Sequence, residues 1–275
     1  MIYINPNGGL GNTLFQIAAL HVLAIENMDT LCLLNTKKHI NDLNNDIRLG
    51  TSHAEKYNYI FNKFNQIDVA PVEWKANQEY SNIYENTLFP KYYFPFQYIK
   101  PEYKREYEYI GYFQSEKYFK HRRNEVLEIF KPAEAFHEII NKYSNLFSGI
   151  GLHVRRGDYV KQHMGRMIFL EMSYYNRALS ELPKDTPVLI FSDGLNWCKE
   201  NFIGDRYVFI DEPDYISLYL MSKMKYFIVA NSSFSWWGAW LGEQEKVCAP
   251  KEWFNNGVIH KLYEYDIIPN NWVKI

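Results

Sequence analysis

The 275-residue chain is poor in cysteine, with only Cys32, Cys198 and Cys248. Three scattered cysteines cannot build a disulfide framework, and the absence of any CxxC pair or Cys/His cluster leaves no zinc-ligand spacing. A reducing, cytoplasmic compartment is the expectation. Long basic runs are missing too: the formal net charge is −2 and Lys or Arg never extend beyond pairs. That speaks against a broad nucleic-acid footprint while leaving room for a local anion site. The longest apolar run, LFQIAALHVLAI, is too short to span a bilayer, and MIYINPNGG at the amino terminus lacks a basic segment followed by an apolar one. A soluble chain without a membrane anchor is therefore expected.

What is present is an ordinary globular balance, 47% apolar and 23% charged, with a high aromatic content of 17%. The 23 Tyr, 18 Phe and 7 Trp could fill large cores, form sugar-stacking platforms or reflect coding bias; packing is the simpler reading. The length suits one large domain or two ordinary ones. MIYI at 1–4 reads as a strand, Asn5 to Gly11 as a turn-rich loop and Thr13 to Met28 as a buried helix. The loop offers GLG at 9–11, but Leu14 stands where the third glycine of a dinucleotide fingerprint belongs, so a nicotinamide site is poorly supported. Residues 35–120 carry no fixed repeat, and Pro90, Pro95 and Pro101 forbid a continuous helix through their aromatic stretch. A helix from Arg122 to Phe130 leads to a domain boundary near residue 135.

The second half is more regular. Four apolar runs, GIGLHV (149–154), PVLIF (187–191), RYVFI (206–210) and YFIVA (226–230), read as strands, and each ends in polar residues. Those endings are His153 with Arg155 to Asp158, then Ser192-Asp193, then Asp211, then Asn231-Ser232-Ser233. In an open parallel sheet, ligands bind outside the carboxyl ends of the strands. The helix after Asp214 places Ile216, Leu220, Met221 and Met224 on a core-facing stripe. NSSFSWWGAWLG begins with residues suited to cap a helix whose open N–H groups would meet an anion. An arginine at a strand end can grip two phosphate oxygens through its planar fork, which makes Arg155 or Arg156 a pyrophosphate clamp with the neighbour bracing the structure. Surface ion pairing is the competing reading for both arginines. His153 is read equally as a buried core histidine or a ligand contact, and Asp193 as a site residue or a helix cap.

HVRRGDY at 153–159, GGLGNTLFQIA at 8–18, GYFQSEKYF at 111–119 and NSSFSWWGAWL at 231–241, in this order over nearly the whole chain, resemble the bacterial and viral α-1,2-fucosyltransferases of glycosyltransferase family eleven. The resemblance implies an α/β, GT-B type fold of two Rossmann-like halves facing a central cleft: 1–135 on the acceptor side with the glycine loop, and 136–275 binding the donor. It implies inverting transfer of L-fucose from GDP-β-L-fucose to an oligosaccharide, usually the 2-OH of a terminal galactose. Arg155 would hold the pyrophosphate and His153 would lie near the nucleoside. Gly9, Gly11 and Asn12 would approach the phosphates from the amino-terminal half, Ser232, Ser233 and Phe234 would line the donor pocket, and Asp214 would help recognise guanine. Thr13 replaces the glutamine usual after GGLGN, and the loop KQHMGRMIFLEMSYY departs from commoner forms.

No two aspartates stand two positions apart, so the DxD clamp of many nucleotide-sugar enzymes is missing and no metal or other cofactor is expected. The leaving diphosphate then needs Arg155 and the NSSFSWW helix start as preorganised electrostatic groups. Asp158 and His163 are the nearby candidate bases, with late deprotonation to solvent or phosphate as a third route; Asp158 reads equally as a catalytic residue or as a brace for Arg156 or a turn cap. A sugar- or nucleotide-binding module without turnover is the reading from another class. It separates from an enzyme by binding GDP without releasing it from GDP-fucose.

Overall fold

The computed structural model describes residues 1–45, 57–67, 107–109, 111–157, 167–254 and 266–275. Asp158, His163 and most of the aromatic stretch lie outside the described residues. Described residues 1–45, 57–67, 107–109, 111–131 and 266–267 fall in one compact unit; 132–157, 167–254 and 268–275 fall in a second.

The first unit contains β1 (Ile2–Ile4), α1 (Leu10–Glu26), β2 (Leu31–Leu34), α2 (Thr36–Asn45), α3 (Asn58–Phe61), β3 (Asn65–Ile67), β4 (Tyr107–Tyr109) and α4 (Arg123–Ile129). Among the described residues its four strands are parallel, in the order β3-β2-β1-β4. Helix α1 is apolar nearly all round and buries 13 of its 17 residues, as such a helix must. It begins at Leu10, earlier than the sequence suggests, so Gly11 and Asn12 belong to its first turn rather than to the loop. The reason is the turn before it: Gly8 takes φ +83°, Gly9 is extended, and Leu10 can then enter the core at once. Strand β2, LCLL, escapes sequence reading because four apolar residues without alternation suit a helix as well as a buried strand.

The second unit contains α5 (His137–Asn141), β5 (Ile150–Val154), α6 (Met172–Ser180), β6 (Val188–Ser192), α7 (Leu195–Asn201), β7 (Tyr207–Ile210), α8 (Asp214–Lys223), β8 (Tyr226–Ile228), α9 (Ser233–Trp240), β9 (Lys246–Ala249) and β10 (Val273–Lys274). The six strands among its described residues are parallel, in the order β10-β9-β8-β5-β6-β7. Every residue of β5 is buried, as expected of a strand covered on both faces. The core packs Ile150, Leu152 and Val154 with Tyr174, Tyr175, Val188, Ile190 and Ile228. The chain leaves β5 for β6 and β7, then crosses to β8 on the other side of β5. Strand order therefore reverses between β5 and β8, the position where open α/β sheets bind ligands. Both units are parallel α/β structures, as each half of a GT-B fold requires.

Candidate active site

Strand pairing fixes which residues meet at the carboxyl edge of the second sheet. Val154 pairs with Ser192, and Leu152 pairs with Ile228. Continuing the β5–β6 register by one residue sets Arg155 beside Asp193, while His153 near the end of β5 meets Phe234 in the first turn of α9, the helix that follows β8. Three sequence-separated segments thus meet because β5 is central.

Arg155 Nη1 lies 2.7 Å from Asp193 Oδ2, with the two side chains 18% and 23% exposed. Asp193 Oδ1 accepts the Arg156 backbone N–H at 2.7 Å. One carboxylate therefore fixes both the Arg155 guanidinium and the backbone that carries it. The helix-cap alternative for Asp193 does not hold: Gly194 is the N-cap of α7, and its N–H is taken by Ser192 Oγ at 2.9 Å. Arg156 diverges from its neighbour. Its guanidinium sits 4.0 Å from the Trp197 ring centroid and 4.3 Å from that of Phe169, between two aromatic faces. A Cβ on Gly194 would come within 2.8 Å of Arg156 Cβ, so glycine there gives the arginine its space.

His153 is 4% exposed, and its Nδ1 is buried with no hydrogen-bond partner among the described residues. Burial pushes its pKa down to about 4; Asp193 opposes that shift and Arg155 adds to it. The imidazole is thus neutral, with a polar nitrogen awaiting a partner. Its ring meets the edge of Phe234 in the first turn of α9, centroids 5.7 Å apart. Ser232 is the N-cap residue in extended conformation, but its hydroxyl caps no N–H of the helix. Asn231, expected to help cap, is a staple: Nδ2 donates to the carbonyls of Ile168 at 2.7 Å and Trp253 at 3.0 Å. Ser235 Oγ accepts the Ala230 N–H at 3.0 Å and pins the strand end to the helix. The first turn of α9 can therefore present amides and the Ser232 and Ser233 hydroxyls to an anion. Asp214 opens α8 and accepts the Tyr215 N–H at 2.7 Å. Burial also raises the Cys198 thiol to about 11, which makes it a packing group rather than a nucleophile.

The glycine loop of the first unit forms its own polar centre. Gln16, 2% exposed, accepts the Asn7 N–H through Oε1 at 3.0 Å and donates through Nε2 to the Gly111 carbonyl at 3.0 Å. Gln114 Nε2 donates to Asn12 Oδ1 at 2.9 Å. Gly9, Gly11 and Asn12 thus share one end of α1, held against the segment that follows β4. Sequence reading missed Gln16, Gln114, Phe169 and Trp197. A lone glutamine in the apolar LFQIAAL was the available signal for Gln16, and GYFQSEKYF carried Gln114.

Comparison with known proteins adds an independent finding. A family model described as Glycosyl transferase family 11 matches residues 1–275. The chain is 30% identical to an Escherichia coli alpha-1,2-colitosyltransferase over 98% of this chain and 96% of that one. It is 28% identical to the E. coli O-antigen biosynthesis glycosyltransferase WbnK over 95% and 97% respectively. Among solved structures, NodZ alpha-1,6-fucosyltransferase soaked with GDP-fucose aligns with a TM-score of 0.47 at 15% identity, over 88% of this chain and 92% of that one.

Proposed function

The chain belongs to glycosyl transferase family 11, and from that premise we propose that it is an inverting fucosyltransferase. It moves L-fucose from GDP-β-L-fucose to a glycan hydroxyl, the 2-OH of a terminal galactose being the leading acceptor. The observation that carries the reading is the strand-order reversal between β5 and β8, where Arg155 pairs with Asp193 and His153, with an unsatisfied Nδ1, packs on Phe234 in the first turn of α9. That set suits a nucleoside diphosphate: a fork and amides for the phosphates, a neutral imidazole for a hydroxyl or N–H of the nucleoside. Ser232, Ser233 and Phe234 belong to the same donor site, and Asp214 serves guanine. Asn12, with Gly9 and Gly11, is assigned by the same reading to the donor.

In the transfer, the acceptor oxygen bonds to fucose C1 while the bond from C1 to the β-phosphate oxygen breaks. The electron pair leaves on GDP, and the hydroxyl proton passes to a base. Arg155 and the α9 amides are aimed at the charge growing on the diphosphate, which lowers the barrier without reorganisation. Asp158 is the proposed base. The reading includes no cation, since these groups carry the neutralisation.

Incubation with GDP-fucose and an acceptor array, with GDP release followed and product linkage read by NMR, tests the function. GDP binding without release would establish a binding module instead. Arg155→Lys is expected to lower kcat by roughly 10²- to 10³-fold, about 2.7–4 kcal/mol, as loss of a preorganised donor does; retention of more than half the wild-type rate removes the clamp. The colitosyltransferase relative favours a second reading in which the donor sugar is colitose. Competition between GDP-fucose and GDP-colitose decides between the two.

A further inference from the structure

Gln114 is not accounted for by packing. Its Nε2 donates to Asn12 Oδ1 at 2.9 Å across 102 positions of sequence, while its Oε1 is buried with no hydrogen-bond partner among the described residues. Native structures leave few buried polar atoms unsatisfied, and those few mark places where something other than stability sets the geometry. Here the side chain spends its donor on Asn12 and leaves its own acceptor unmet.

The chemistry of two facing carboxamides explains what that achieves. Each has one accepting and one donating end. By donating to Oδ1, Gln114 occupies the acceptor of Asn12 and leaves Nδ2 to donate elsewhere. An asparagine held in that sense suits an anion; one rotated to offer its oxygen would repel it. The other side of Asn12 is restricted as well, because a Cβ on Gly8 would fall 2.6 Å from Nδ2. Gln16 fixes the backbone on both sides by bridging Asn7 and Gly111. Backbone and side chain of this loop are thus held by different glutamines.

We propose that Gln114 is a positioning residue for the transfer reaction, setting the Asn12 carboxamide so that Asn12 acts as a hydrogen-bond donor through Nδ2. The proposal rests on the assignment of Asn12 to the donor. Gln114→Met keeps the length and bulk of the side chain and removes the hydrogen bond; Gln114→Leu is the second variant should methionine disturb folding. With GDP-fucose as substrate, Gln114→Met lowers kcat by about tenfold to a hundredfold, the range for a misplaced reacting group, and leaves the thermal midpoint near that of wild type. In an Asn12→Ala background the same change adds little, because both substitutions remove one function. An equal fall in both backgrounds, or wild-type kcat in Gln114→Met beside a large loss in Asn12→Ala, overturns the positioning role. Wild-type kcat in Asn12→Ala overturns the assignment of Asn12 itself, and the positioning role with it.

Discussion

Asp193 and Arg155 form an ion pair only partly shielded from water, where charge attraction alone would be weak. Its value lies in geometry: the same carboxylate takes the Arg156 N–H, so the guanidinium and its backbone are fixed together. Asp193→Asn keeps the shape but removes the charge. We expect kcat/KM to fall by roughly 10- to 100-fold, given about 1.5–3 kcal/mol for hydrogen bonds to charged groups. Steady-state kinetics with unchanged kcat/KM would show that Arg155 needs no such support. His39 allows a separate test of stability. Its ring, hydrogen-bonded to Thr13 Oγ1 at 3.1 Å, is pushed by burial from 6.5 down to about 4. As pH falls below about 6.5, the unfolded chain takes up a proton that the folded one refuses until about 4. The contribution of the neutral ring is therefore full above 6.5 and is lost between 6.5 and 4. His39→Asn should flatten that part of the curve, measured as urea midpoints at several pH values. The partner of His39 is Thr13, the residue that departs from the family motif.

Among the elements, strands β5 to β8 were legible because each is an apolar β-branched or aromatic run closed by polar residues. The helix after Asp214 was legible from its periodicity, though it ends at Lys223, with Met224 already extended. KVCA and the two-residue β10 were missed, since strands this short carry almost no pattern. The start of α9 was expected to be capped by side chains, and tertiary demands took the Asn231 side chain elsewhere. Helices α8 and α9 pack closely where Gly238 faces Met221: a Cβ on Gly238 would lie 2.7 Å from Met221 Cβ. A methionine tip can swing aside, but its Cβ cannot. Gly238→Ala should therefore destabilise by about 1–3 kcal/mol, as overpacking does, and a wild-type urea midpoint would show that the helices can part without cost.

At the scale of the whole chain, no helix among the described residues is long and apolar enough to cross a membrane. The proposed chemistry places all neutralisation of the diphosphate on protein groups. Initial rates should then be equal in EDTA and in manganese, and a rate abolished by chelator and restored by metal would reject this arrangement. The sequence by itself determined where apolar runs stop and charge begins, because burial of β-rich segments and exposure of their polar ends are local properties. It determined the family through motifs spread along the chain. Only the tertiary structure decided that Arg155 pairs with Asp193 and that His153 meets the first turn of α9, because strand order depends on which edges pair and not on any one segment. It also decided that Arg155 and Arg156, adjacent in sequence, part company: one meets a carboxylate and the other is sandwiched between rings supplied by distant segments.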